Sequence, residues 1–518
     1  MLYTRRATKW IGSAAGGLLA ASLGMGCGTA NNPAAVPIVP PSMGNNVLTQ
    51  AEVQSIATAA AASVNVPVVI AISDRRGQVL AVYAKAGAPV TAVSNFGATV
   101  AADEEAAALA RTAAFFSNDQ APLSTRTVRF ISEIHFPPGV SNAESGPLYG
   151  IENTNRGCGF NATYLAGQSL PVPGLLHAAG PGLGIQTGKV STGDAESAAV
   201  NPGGVPIFKN NRVAGGIGIV ATGANASAIA EYAAVVGTLG DGFAPTLPSP
   251  GEVVVGGVAL PFVAQTTLPA GVSAGTANGA FTLGPVASGG AAPEGDLIAE
   301  HGSTFAGGLT LAQVQQIVQQ TVATGNVTRA AIRLPPGSRA RFVIAVADLD
   351  GSLLALYRMP DATVFSIDVA VAKSRNVVYF SGTPAAADLP GIPAGTAVTN
   401  RTIGYAAQPL YPGGIDGTAP GPFFSLFLQD LAHPCTQGSQ AASANRNGVV
   451  FFPGSVPLYV DGKLAGGLGV SGDGVDQDDY AAAGGAVGFM APAAIRADQI
   501  LVQGVRLPYQ SFPENPTD

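Results

Sequence analysis

The sequence predicts an α+β protein built as two tandem α/β sandwich domains, each an antiparallel sheet with helices packed on it. Three observations predict this. The chain repeats itself, motif by motif, in one order. Within each repeat the apolar pattern switches between helical and strand spacing in the order α-β-β-α-loop-β-β-α. The strand pairs close on tight-turn residues.

The repeat is explicit. LTQAEVQSI from Leu48 is answered by LTLAQVQQI from Leu309, and PVVIAISDRRGQVLAVY (67–83) by FVIAVADLDGSLLALY (342–357). RTV at Arg126 is answered by RTI at Arg401, and EYAA at Glu231 by DYAA at Asp479. PGGVPIFKNNRVAGGIGI (202–219) pairs with PGSVPLYVDGKLAGGLGV (453–470), and VGGVALPF (255–262) with VQGVRLPY (502–509). The expected layout is a signal sequence at 1–27, a tether at 28–47, copy 1 at 48–267, a Gly/Ala/Thr-rich linker at 268–308 and copy 2 at 309–518.

Each copy opens on a helix. Thr49 with Glu52 and Thr310 with Gln313 have the spacing of a capping box, in which each side chain satisfies the other residue's free N–H. Val53, Ile56 and Ala60 then share one helical face, as do Val314, Ile317 and Val318. Two strands follow, joined at Asp74-Arg75-Arg76-Gly77 and at Asp348-Leu349-Asp350-Gly351. An Ala-rich helix is expected near 98–116 and 366–380. A long Gly/Pro loop region leads to a second strand pair, turning at Asn210-Asn211 and Asp461-Gly462. A last helix is expected near 226–236 and 476–484. GGIGI (215–219) and GGLGV (466–470) lie inside strands, which points to a helix packed closely over them rather than to a phosphate loop.

Composition narrows the function. The 518 residues are 47% hydrophobic and only 11% charged, so a large core is available and a charge-rich disordered chain is excluded. The 25 basic residues against 32 acidic ones leave no basic surplus for nucleic acid. Three Cys make neither a disulfide scaffold nor a CxxC metal site.

The first ten residues carry Arg5, Arg6 and Lys9, and an apolar run to Met25 leads to Cys27. That order reads as a secretory signal, and the run is short for a membrane span. Cys27 leaves two readings open, lipid attachment or simple cleavage. The expected location is exported, periplasmic or at the cell surface. Export makes a bond between Cys158 and Cys435 chemically permissible, and free thiols are the alternative.

FVIAVADLDGSLLALYRMPDA, SIDVAVAKSRNVVYF and SVPLYVDGKLAGGLGVSGDGVDQDD of copy 2 resemble the GlcG/HbpS-like family of haem-binding proteins. The resemblance covers most of both copies. It implies an antiparallel α/β sandwich, oligomers, and haem as cofactor or cargo, with haem degradation proposed for some members. On the family's helix pattern, copy 2 keeps Lys373 and has Asn376 where Thr stands, whereas copy 1 has Leu109 and keeps Thr112. The family's R-M-D-G appears as Arg358-Met359-Pro360-Asp361, and its loop acids as Asp478 and Asp479. Neither copy carries the His near the first helix that some members use on iron.

A haem site needs an axial donor, an apolar slot and cations for two propionates. The candidate donors are His135 and His433, then Tyr357 and Met359. Each competes with a plain surface or core role. Arg358, Lys373 and Arg375 are candidate propionate partners, with a solvated helix face as the alternative. Thr112 completes the set by resemblance. The acids Asp473, Asp476, Asp478 and Asp479 are expected to serve a helix start rather than a cation. The sequence therefore predicts a small-molecule, haem-like ligand and an intramolecular pseudo-dimer. An enzyme that degrades haem and a structural tandem with a vestigial pocket are the competing readings.

Overall fold

The computed structural model describes residues 46–158, 176, 181–190, 201–245, 252–286 and 290–518. The signal sequence, Cys27, most of the tether and His177 lie outside the described residues. No helix among the described residues is long and apolar enough to cross a membrane.

Copy 1 runs α1 (Gln50–Ala62), β1 (Val69–Asp74), β2 (Val79–Lys85), α2 (Ala102–Phe116), α3 (Thr125–Phe130), β3 (Gly203–Lys209), β4 (Arg212–Val220) and α4 (Ala226–Leu239). Segment 268–308 then supplies β5 (Gly279–Leu283) and β6 (Gly295–Ile298). Copy 2 runs α5 (Leu311–Val327), β7 (Val343–Ala347), β8 (Leu353–Arg358), α6 (Phe365–Ser381), α7 (Asn400–Ala406), α8 (Phe424–Ala432), β9 (Ser455–Val460), β10 (Lys463–Ser471) and α9 (Val475–Gly485).

Two five-stranded sheets result, in the orders β3-β4-β1-β2-β5 and β9-β10-β7-β8-β6. All of their pairings are antiparallel. The strand order is the same in both. The segment expected as a bare linker therefore also completes both sheets, β5 against β2 and β6 against β8.

The local chemistry is as the sequence dictates. Thr49 N–H donates to Glu52 Oε2 at 2.7 Å, and Glu52 N–H to Thr49 Oγ1 at 3.3 Å. Thr310 and Gln313 form the same reciprocal cap. Asp74 Oδ1 accepts from the N–H of Arg76 and of Gln78, 2.9 Å each, and so fixes the first hairpin. A Cβ on Gly216 would sit 2.1 Å from Ala110 O of α2, and one on Gly469 2.0 Å from Ala370 O of α6. The strand glycines thus let a helix backbone lie directly on the sheet.

The repeated motifs meet in space. Arg126 Nε lies 2.6 Å from Glu231 Oε1, and Arg401 Nε lies 2.6 Å from Asp479 Oδ2. Glu231 also accepts from Ala264 N–H and Asp479 from Ser511 N–H, 3.1 Å in both. Thr127 Oγ1 donates to Pro261 O at 2.6 Å, and Thr402 Oγ1 to Pro508 O at 2.7 Å. In each copy, one ion pair and one hydroxyl tie the short helix to the last helix and to the closing LPF or LPY arm.

The two copies share a core. One buried cluster joins Phe116, Leu123, Ile131 and Ile151 of copy 1 to Val343, Val364, Phe365 and Phe452 of copy 2. The rings of Phe116 and Phe365 stack with centroids 3.9 Å apart. Asn155 N–H donates to Asp368 Oδ2 at 2.7 Å, and Val364 N–H to Phe115 O at 3.0 Å. Cys158 and Cys435 are bonded, S–S 2.03 Å, across 277 residues of chain. Of the two states the sequence left open for these thiols, the structure has the bridge.

Candidate functional site

A cavity of about 730 Å³ lies between the copies. Copy 1 contributes Phe116 from the end of α2 and the loop stretch from Ile131 to Tyr149. Copy 2 contributes Phe365 from the start of α6, the α7 face with Arg401 and Tyr405, the strap Phe451–Pro453, and the start of α9 from Asp473 to Gln477. The walls are apolar and largely buried: Leu123, Leu148, Phe365 and Phe452 each keep less than a tenth of their surface exposed. Gly404 closes one side, where a Cβ would meet Phe451 O at 1.9 Å. A larger residue there would push α7 off the strap.

Of the charged lining groups, Arg401, Asp473 and Asp476 are tied into ion pairs and hydrogen bonds. Arg401 reaches Asp476 and Asp479. Burial, the largest single influence, lowers its pKa, but the two carboxylates together outweigh it and hold the pKa above the ordinary value. Asp473 accepts from the N–H groups of Ala331, Ile332 and Gly474, with Arg333 at 3.8 Å. Burial still pushes its carboxyl up. The Tyr405 phenol is raised by burial and then by Glu144.

None of the residues singled out from the sequence as ligand contacts lines this cavity. His135 directs Nε2 at Asp416 Oδ1, 2.7 Å away on the other copy. His433 is the exposed C-cap of α8. Thr112 is buried, donating to Ala108 O and accepting from Gln186 N–H, 2.9 Å each. Tyr357 pairs in the sheet with Ile344. Met359 is core, its sulfur 3.4 Å from Phe342 N. Arg358 donates to the carbonyls of Ala362 and Pro293, and Arg375 to Gly351 O and Asn447 Oδ1. Lys373 is fully buried, 2.9 Å from both Asp478 Oδ2 and Val470 O. It stands directly behind the cavity wall, 5.0 Å from the centre of the Phe452 ring.

The expected solvated face for the cations is therefore a set of buried backbone and ion-pair contacts. The acidic loop also departs from expectation. The N-cap of α9 is Gly474, without a side-chain cap, and the acids pair instead with Lys373, Arg401 and Arg333. Among the described residues no group of three or more His, Cys, Asp or Glu is placed to hold a metal ion. Sequence reasoning missed the aromatic wall, because Phe116, Phe365 and Phe452 lie at element ends in different copies. The RTI motif at Arg401, the acidic loop at Asp473 and Asp476, and the repeated arms at Val255 and Pro508 were the sequence signals that fall here.

Residues 309–486 match the family described as haem degrading protein HbpS-like. No curated protein matches the chain. Among solved structures, the Klebsiella pneumoniae protein ORFY is similar at 20% identity, covering 36% of this chain and 92% of its own, TM-score 0.24. A PduOC:heme complex is similar at 22% identity, covering 35% and 94%, TM-score 0.23. A double mutant of Streptomyces reticuli HbpS is similar at 20% identity, covering 38% and 98%, TM-score 0.22. The match to the HbpS-like family is thus carried by the second copy, over residues 309–486.

Proposed function

We propose that this chain is a haem-related binding module, in which the cavity between the copies takes up one flat, largely apolar molecule of porphyrin size. The observation that carries the reading is the aromatic, buried-walled cleft of about 730 Å³ in a chain whose second copy matches the HbpS-like family. A ligand site of this kind, concave and mostly apolar with a few polar groups, lies in the usual volume range. Haem fits by its ring. It fits less well by its iron, since the described lining contains no His, Met or Cys. Tyr405 is the nearest oxygen donor by type, and burial together with Glu144 opposes the phenolate that iron would need. We therefore assign the residues a role in holding the ring, and the module a role in sequestering or carrying its ligand. Export through the N-terminal signal, with or without a lipid at Cys27, places that role outside the cytoplasm.

The test is a titration of the mature, disulfide-bonded protein with haem, read by visible absorption. A saturable shift near one equivalent is expected. Val255→Trp, which fills the cleft from its wall, is expected to remove the shift, while His135→Ala and Met359→Ala retain it. A shift that survives Val255→Trp would move the site elsewhere. Degradation, which the family description names, is the second reading, and a biliverdin-like product under a reductant would favour it.

A further inference from the structure

We propose that the cleft selects ligands whose exposed edge is uncharged or cationic, and disfavours free carboxylates, with Glu144 and Asp476 as the residues that set this preference. The inference rests on the cleft being the binding site and names the ligand class it takes. Among the described lining residues, the carboxylates are those of Glu144, Asp473 and Asp476, and the sole basic side chain is Arg401. Arg401 is already committed. Its Nε lies 2.6 Å from Asp479 Oδ2, and its other end reaches Asp476. A ligand carboxylate would have to displace one of these partners or meet them as a like charge.

Two of the acids line the cleft and also reach solvent: Glu144 is exposed, and the Asp476 side chain is 40% exposed. Asp473, by contrast, is buried and held by Arg333 and three backbone N–H groups, so it is not free to turn toward a ligand. Glu144 lines the same cleft as Tyr405, whose phenol is raised by burial and then by Glu144. The walls add to the same preference. Phe116, Phe365, Phe452 and Tyr405 bring π-faces and edges around the space, and aromatic faces attract cations. An aromatic slot lined by exposed acids favours a flat cation over a dianion, so haem, with its two propionates, would bind there more weakly than an esterified or amine-ended porphyrin.

The experiment uses one macrocycle with three edges: protoporphyrin with its two carboxylic acids, its dimethyl ester, and its diamide ending in two primary amines. Each is titrated into the full, disulfide-bonded chain by absorption at low and at high salt. The expected order is diamine tightest, ester next and diacid weakest, with the extremes about ten-fold or more apart at low salt. Raising salt from about 50 mM to about 500 mM should narrow that gap, because exposed charges are screened. Glu144→Gln should weaken the diamine and strengthen the diacid, each by about three-fold or more. A diacid that binds as tightly as the diamine, or an order indifferent to salt in the unmodified protein, would overturn the inference and leave the binding-module reading standing. Failure of all three ligands to bind would overturn both.

Discussion

The two copies keep the same frame and bury different charges. Where copy 2 sets Lys373 of α6 against Asp478 of α9, copy 1 has Leu109 and Ala230 at the matching positions of α2 and α4. The register is fixed by the strand glycines: Gly216 and Gly218 face Ala110 and Ala106, as Gly467 and Gly469 face Ser374 and Ala370. Copy 1 in turn buries Glu105 where copy 2 has Val369. It also buries Arg129 and Glu133, where copy 2 has Gly404 and Gln408, and pairs Lys189 with Glu152 at 2.9 Å nearby. Both copies retain the Arg126–Glu231 or Arg401–Asp479 tie and the glycines under the helix. Both also bury the hairpin acid, Asp74 or Asp348, whereas the Lys373–Asp478 pair, Glu105 and the Arg129–Glu133 pair each occur in one copy only.

The largest expected effect comes from the bond that holds the copies together. Reducing Cys158–Cys435 releases a 277-residue loop, worth up to about 5 kcal/mol in the chain-entropy picture. The melting temperature with and without a thiol reductant measures it. An unchanged value would mean that the shared core alone joins the copies.

Next is the copy-2 ion pair. Lys373→Leu alone leaves Asp478 as a buried charge and should cost about 3–5 kcal/mol. Lys373→Leu with Asp478→Ala copies the other domain and should recover most of that loss in urea unfolding. A double variant as unstable as the single one would show that copy 2 depends on the pair in a way copy 1 does not.

The converse change is Glu105→Val, and its effect should depend on pH. Burial pushes the Glu105 carboxyl up to about 8, only partly offset by Ser94. The unfolded chain would ionise near the ordinary value of about 4.3. Between these values the folded state holds the extra proton, so stability falls as pH rises through the window. The variant lacks that loss, and its advantage in melting temperature should grow from pH 5 to pH 8. A constant difference would place the Glu105 proton elsewhere. Smallest of all, His135→Ala removes a partly exposed contact to Asp416 and should shift the melting temperature only slightly.

Much of this frame was legible in the sequence. Period and turn residues gave the helix and strand order, and α2, α4, α6 and α9 fall within a few residues of their expected positions. The fifth strand of each sheet was hidden because 268–308 is rich in Gly, Ala and Thr and shows no alternation. β5 is held by pairing to β2 with no fully buried residue of its own, and β6 by pairing to β8 with Leu297 alone fully buried. The cavity was less legible. Its walls come from loop residues and element ends brought together only when the copies dock, as Phe116 and Phe365 do. The cations Lys373, Arg358 and Arg375 were visible as residues, but sequence spacing does not say whether a charge meets a ligand or a backbone carbonyl.

The bridge between Cys158 and Cys435 changes what the connecting segment is for. With the two halves welded at a second point, the peptide between them is no longer the only thing keeping them on one molecule. A single proteolytic cut in 268–278 would yield two polypeptides that still migrate as one species until reduced. The cleft walls they share would keep their partners at the concentration of an intact chain.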